Sequence, residues 1–217
     1  MTGSDAAASA EAKPLLIFPF NGNALEALDC LGNAFQLLGF VDDTPEKQGT
    51  RAHGPRVFSR AALGQWPEAQ VLAVPGGPAS FRSRRGVIEG LGIERGRFAR
   101  VIHPTARVSS LATIGHNVLI MAGVVITSNA VIGDHVCVLP NTVIHHDACI
   151  GAWSLVGSNV TVAGNTLVGE NCYIGSGSSL MHGLEIGDGT LVGLGSNVIR
   201  GTPAGSRVVG NPARPLP

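Results

Sequence analysis

The chain has 217 residues, enough for one large domain or two small ones. Charged residues make up 14% and aromatics 5%, yet 44% is hydrophobic, so the core is built from Val, Ile, Leu and Ala. That balance excludes a disordered chain and a coiled coil. The formal net charge of zero speaks against a nucleic-acid partner.

In chain order, residues 1–13 (MTGSDAAASAEAK) lack the basic and apolar regions of a signal peptide and are expected to form a mobile tail. No apolar stretch approaches a membrane span, so no membrane partner is expected and the cytoplasm is the default compartment. Cys30, Cys137, Cys149 and Cys172 form no CxxC pair and are read as buried, reduced thiols.

Residues 14–100 alternate strand and helix patterns. Leu15 to Phe20 and Gln36 to Val41 read as strands, with a helix over Ala24 to Leu31 between them. A third strand covers Gln70 to Val74, and a helix covers Phe81 to Leu91. This order predicts a small α/β domain with a parallel sheet. Ligands of such sheets sit at the carboxyl ends of the strands, here residues 19–24, 42–45 and 75–82. The loop Pro19–Ala24 (PFNGNA) is not the glycine pattern of a dinucleotide site. Gly76 and Gly77, followed by Arg82, Arg84 and Arg85, could receive a pyrophosphate.

From residue 101 to 205 one spacing dominates. Every sixth residue from Ile102 to Val198 is aliphatic, and glycine follows many of these anchors, as at positions 115, 133, 151 and 169. A helix needs a period of 3.6 and a plain strand a period of 2. A strict six is the hexapeptide repeat of a parallel β-helix, in which three strand-and-corner units close one triangular coil. The glycines are expected at tight corners, where a positive φ is cheap. No insertion interrupts the coils, and residues 206–217 are read as a C-terminal tail.

A small α/β domain, then IHPTA at 102–106, then hexapeptide coils, then VVGNPAR at 208–214, resembles the bacterial sugar acyltransferases of the left-handed β-helix class. That group includes nucleotide-linked amino-sugar N-acetyltransferases and sialic acid O-acetyltransferases. The left hand of the coil comes from this resemblance. The most specific motif is Val143–Gly151 (VIHHDACIG), where the family has a histidine followed by an acidic residue.

Acyl transfer from a thioester needs a base for the proton of the attacking group, and an imidazole suits that task. A neighbouring carboxylate can orient the ring. His146 and Asp147 match these roles. Gly164 lies one coil further on, about 4.8 Å away by strand stacking. The resemblance implies that its main-chain N–H donates to the thioester oxygen. His182, one coil further still, stands where the family usually has proline and is a candidate acyl-donor contact. Leu155 replaces a second histidine found in some relatives. His145 is expected to point away from the site, and His116 and His135 to lie at surfaces or interfaces.

The resemblance further implies acetyl-CoA as cosubstrate, a homotrimer with acyl-CoA between neighbouring prisms, and an acceptor held by the first domain. Candidate acceptor residues are Asn21, Gly22, Asn23, Asp42, Asp43, Gly76, Gly77 and Arg82. Arg200, Arg207 and Arg214 are candidates for the CoA phosphates, with the tail beside the adenine. N-acetylation of a nucleotide-linked amino sugar is the expected reaction, with O-acetylation of a sugar hydroxyl as the alternative. A γ-class carbonic anhydrase and a non-catalytic β-helix scaffold are the remaining alternatives. The former needs two histidines five residues apart, a spacing the chain lacks, and no metal is expected.

Overall fold

A computed structural model describes residues 11–51 and 54–216. The expected tail lies outside the described residues as far as position 10. Strand β1 (Lys13–Phe18) begins one residue before the expected domain start. It is followed by helix α1 (Gly22–Glu26), strands β2 (Phe35–Val41) and β3 (Val57–Phe58), helix α2 (Ala62–Gln65), strand β4 (Gln70–Ala73) and helix α3 (Arg84–Glu89). The four strands form one parallel sheet in the order β3-β2-β1-β4. Strand β3 and helix α2 are additions to the expected pattern, being too short to leave a period in the sequence.

The chain then winds as a left-handed β-helix. Its first strand is Arg100–Ile102, and each strand pairs in parallel with its equivalent on the next coil, as in Val143↔Thr161 and Ile144↔Val162. The anchors Ile120, Ile126, Ile132, Val138, Ile144 and Ile150 fill the prism with 0–1% exposure. Small residues two positions before the anchors complete the core. Thr142, Ser154, Thr166 and Ser178 are buried there because each hydroxyl donates to a backbone carbonyl of the next coil.

Two expectations about the coils are corrected. The left-handed corner residue is not the glycine after each anchor but the third residue after it, among them Asn129 (φ 60°), Asp147 (φ 58°) and Asn165 (φ 57°). The glycine after the anchor answers to space instead: a Cβ at Gly133 would stand 2.7 Å from the Ala152 nitrogen of the next coil. The period also breaks after Val198. Leu191 pairs with Arg207 rather than with residue 209, so the last coil is two residues short. The C-terminal segment is therefore no free tail. Arg207–Gly210 extends one face of the prism, and Ala213–Pro215 folds back on it antiparallel.

The three faces of the prism differ on their outer sides. One carries Val101, Leu119, Cys137, Leu155, Tyr173 and Leu191, all of which join the hydrophobic core of the first domain with Leu15, Ile17, Phe40, Leu72 and Phe81. The α/β domain thus lies against this single face. Its seam is closed by polar joints at the prism edge beside α3. The buried Asn117 side chain pairs with both backbone groups of Ala73 (2.7 and 2.9 Å). Arg95 grips Asp134 with two hydrogen bonds (2.7 and 3.0 Å). Arg84, 1% exposed, donates to the carbonyls of Pro75 and His135.

Candidate active site

The corner between Ile144 and Cys149 carries His145, His146 and Asp147. It joins the two prism faces on which the α/β domain does not sit. The left-handed backbone at Asp147 turns its carboxylate back toward the preceding residue, and His146 Nδ1 lies 2.7 Å from Asp147 Oδ2. The other carboxylate oxygen, Oδ1, accepts a hydrogen bond from Asn129 Nδ2 at 3.0 Å. The Asn129 amide, followed by the His146 ring, holds the Asp147 carboxyl below the usual carboxylate range. A carboxylate at Oδ2 accepts only, so Nδ1 carries a proton, and in the neutral ring the lone pair is left on Nε2.

One coil on, Gly164 faces that free nitrogen. A Cβ added to Gly164 would stand 2.6 Å from His146 Nε2 and 2.7 Å from Cε1. The Gly164 amide has no acceptor among the described residues. Some equivalent amides are capped by the side chain one coil on: His116 N by Asp134 (2.7 Å), Ser158 N by Ser176 (3.0 Å) and Glu170 N by Asp188 (2.7 Å), whereas those of Ala122, Ser128 and Ala152, like Gly164, have no acceptor among the described residues. At Gly164 the residue one coil on is the exposed His182, which does not cap it. A base nitrogen and an uncapped amide therefore sit beside each other.

The acceptor-side candidates are placed at the carboxyl end of the sheet, and several are bonded within the protein. Asn21 caps α1 through Ala24 N (2.9 Å) and donates to the Val74 carbonyl (3.1 Å). Asp42, 3% exposed, accepts from Phe20 N, Thr44 N and Lys47 Nζ at 2.9–3.0 Å. Burial raises its pKa, but the bonds from Thr44 and Lys47 outweigh that and leave it low. Asp43 forms a bidentate pair with Arg60 (2.9 and 2.5 Å). Gly22 and Gly77 have open space about their Cα atoms, and Asn23 sits in the first turn of α1. Gly76 needs its φ of +104°, and a Cβ there would only touch Leu155 and Arg84.

The arginines do not gather as expected. Arg82 reaches away from the sheet to the carbonyls of Gly189 and Gly205 on the prism (3.3 and 3.1 Å). Arg84 is sealed in the domain seam, and Arg85 pairs with Glu89 (2.9 Å) over the Trp153 ring. Arg200 and Arg214 line one cavity at the end of the prism. Arg207 is paired with Leu191, on the row that faces the α/β domain. His135 lies in the seam between Phe98 and Trp153, where burial pushes its pKa down to about 4. One contributor was missed in the sequence, Asn129, and Arg84, read there as a pyrophosphate candidate, is instead a buried joint between the domains. Asn129 could have been found by stepping back one coil from Asp147. Among the described residues no three His, Cys, Asp or Glu side chains gather as metal ligands.

A prism of hexapeptide coils, an appended parallel sheet and a His–Asp pair beside a glycine of the next coil are an arrangement similar to that of left-handed β-helix acyltransferases. The family model described as bacterial transferase hexapeptide (six repeats) matches residues 111–145, 129–164 and 165–200. Among solved structures, the chain is similar to the acetyltransferase domain of PglB from Neisseria gonorrhoeae FA1090 in complex with acetyl coenzyme A. Identity is 26%, covering 94% of this chain and 100% of that one, with a TM-score of 0.81. It is similar to PerB from Caulobacter crescentus in complex with CoA and GDP-perosamine, at 27% identity over 96% and 99% of the two chains and a TM-score of 0.81. WeeI from Acinetobacter baumannii AYE matches at 25% identity over 94% and 100%, with a TM-score of 0.81. No curated protein matches the chain in sequence.

Proposed function

We propose that the protein transfers the acetyl group of acetyl-CoA to the amine of a nucleotide-linked amino sugar. The observation that carries this reading is His146, oriented by Asp147, with its free Nε2 set against the uncapped amide of Gly164. His146 Nε2 takes the proton that the sugar amine sheds as its nitrogen bonds to the thioester carbon. Asp147 stabilises the positive ring that results. The Gly164 N–H donates to the thioester oxygen as it gains charge. His146 then returns its proton to the sulfur as the carbon–sulfur bond breaks, so one amide and one thiol leave the site. The reading of the acceptor as an amine rather than a hydroxyl draws on the solved relatives, one of which holds GDP-perosamine and is described as a perosamine N-acetyltransferase.

The acceptor is assigned to the α/β domain, at the open loops around Gly22, Asn23 and Gly77. This implies more than one copy of the chain. The domain covers the prism face opposite the His146 corner, so an acceptor held there reaches only the His146 of a neighbouring prism. A homotrimer, with each groove formed by two prisms, satisfies that constraint three times. His182 and Arg200, which follow His146 and Gly164 along the same corner, are assigned to the CoA side of the groove. Arg214 joins Arg200 at the end of the prism, and Arg207 is assigned to the edge of the acceptor cleft. No helix among the described residues is long and apolar enough to cross a membrane. We place the reaction in the cytoplasm, serving polysaccharide biosynthesis.

The test is a thermal-shift panel of UDP-, GDP- and dTDP-linked amino sugars with and without CoA, followed by turnover with acetyl-CoA. Stabilisation by CoA and by one nucleotide sugar, with acetylated amine as product, is expected. Light scattering should give three times the chain mass of 22.3 kDa. A monomer that turns over at full rate would overturn the shared site.

A further inference from the structure

We propose that Asn129 is a positioning residue for the reaction: from one coil below, its side-chain amide fixes the Asp147 carboxylate and, through it, the His146 ring. This rests on the reading of His146 as the base.

The inference starts from the exposure of the pair. The side chains of His146 and Asp147 are 54% and 43% exposed. A carboxylate so open to water has no packing to hold its rotamer, and an ion pair on such a surface is weak when unsupported. The rung beneath supplies the missing restraint. Asp147 N donates to the Ser128 carbonyl at 3.0 Å, and Asn129 Nδ2 donates to Asp147 Oδ1 at 3.0 Å. Backbone and side chain of Asp147 are thus tied to two consecutive residues of the preceding coil. With Oδ1 occupied, Oδ2 is left to His146 Nδ1 at 2.7 Å, and Nε2 is left facing Gly164.

Stacking makes the contact reliable. Asn129 and Asp147 occupy the same corner position one coil apart, and both have a left-handed backbone, at φ 60° and 58°. The corner alone explains a residue tolerant of positive φ at position 129, and glycine or aspartate would meet that need equally well. What only asparagine adds is a donor aimed at a carboxylate. The corresponding amide at Asn117 is spent on the Ala73 carbonyl and the His135 ring, so the corner does not impose one use on its asparagines.

Two substitutions separate the backbone role from the donor role. Asn129→Gly keeps the left-handed corner and removes the donor. Asn129→Asp keeps corner and size but sets a second carboxylate against Asp147. Each is compared with the wild-type protein by melting temperature, by steady-state kinetics with acetyl-CoA and the acceptor, and by carbon NMR titration of the Asp147 carboxyl. For Asn129→Gly the melting temperature should hold and kcat should fall about five- to tenfold, the worth of one ordinary hydrogen bond at an exposed site, with both KM values unchanged. The Asp147 titration should move up toward the ordinary carboxylate range. Asn129→Asp should move it further up, because two carboxylates sharing one site resist double ionisation. Wild-type kcat with an unmoved Asp147 titration in Asn129→Gly overturns the proposal and leaves Asn129 a backbone residue only. His146→Ala is run in parallel. If that variant keeps the wild-type rate, the base reading has failed and the clamp stands or falls on the titration alone.

Discussion

Nε2 of His146 sits so close to the Cα of Gly164, one coil later, that a single added methyl would come within 2.6 Å of it. Gly164 is not among the residues with left-handed backbone, so alanine is acceptable to the chain itself and only the ring must move. Gly164→Ala should therefore melt near the wild-type temperature while kcat falls by about 10², the cost of displacing a reacting group by roughly 1 Å. Paired melting curves and steady-state kinetics check both halves. Normal turnover would show that the ring does not work from its present position.

Removing the base itself should cost more. His146→Ala and His146→Asn should each lower kcat by roughly 10²–10⁴, the span for a positioned general base, with little change in either KM. Asp147→Asn should cost less, since the carboxylate orients the ring and takes no proton. The Asp147 carboxyl is held low, so it stays ionised down through the ordinary carboxylate range. His145→Ala is the control, with activity near wild type.

Arg84 joins the domains without a carboxylate partner. It is buried, gives bonds to the carbonyls of Pro75 and His135, and has its pKa pushed down to about 10 by burial, so it remains charged at neutral pH. Arg84→Ala leaves both carbonyls unpaired and a cavity behind, and should destabilise by roughly 3 kcal/mol in urea titrations. The Pro75–Gly77 loop loses its anchor, so KM for the acceptor should rise while KM for acetyl-CoA holds. Arg84→Met, which fills the space, should recover part of the stability and none of the acceptor KM.

The seam is also expected to respond to acid. His135 ordinarily titrates at 6.5 and is pushed down to about 4 by burial between Phe98 and Trp153. The unfolded chain therefore binds a proton here at a pH where the folded one does not. Stability is full above 6.5 and is lost as pH falls from there to about 4. His135→Asn, which suits the left-handed corner (φ 64°), should flatten the melting-temperature profile across that window. A profile as steep as that of the wild type would place the proton elsewhere.

Local repetition made most of the fold legible. An aliphatic residue at every sixth position from Ile102 to Val198 determines strand, corner and inward face at once, because each coil of three hexapeptides stacks on the one before it. That same stacking made His146, Asp147 and Gly164 readable as one cluster, since equivalent positions on successive regular coils have no freedom to separate. Asn129 lay within reach of the same step. What the period could not decide was which of three equivalent faces the first domain covers. That choice came from one row, Leu119–Cys137–Leu155, being apolar throughout where the row through Arg107 and Ser179 mixes Val125 and Val143 with Thr161 and Asn197, and from joints such as Asn117–Ala73 and Arg84–Pro75 that carry no fixed spacing. The roles of Asp42, Asp43, Arg82 and Arg84 were equally hidden. A charged side chain looks free in a sequence, and only packing brings the backbone amide, the carbonyl or the opposite charge that occupies it.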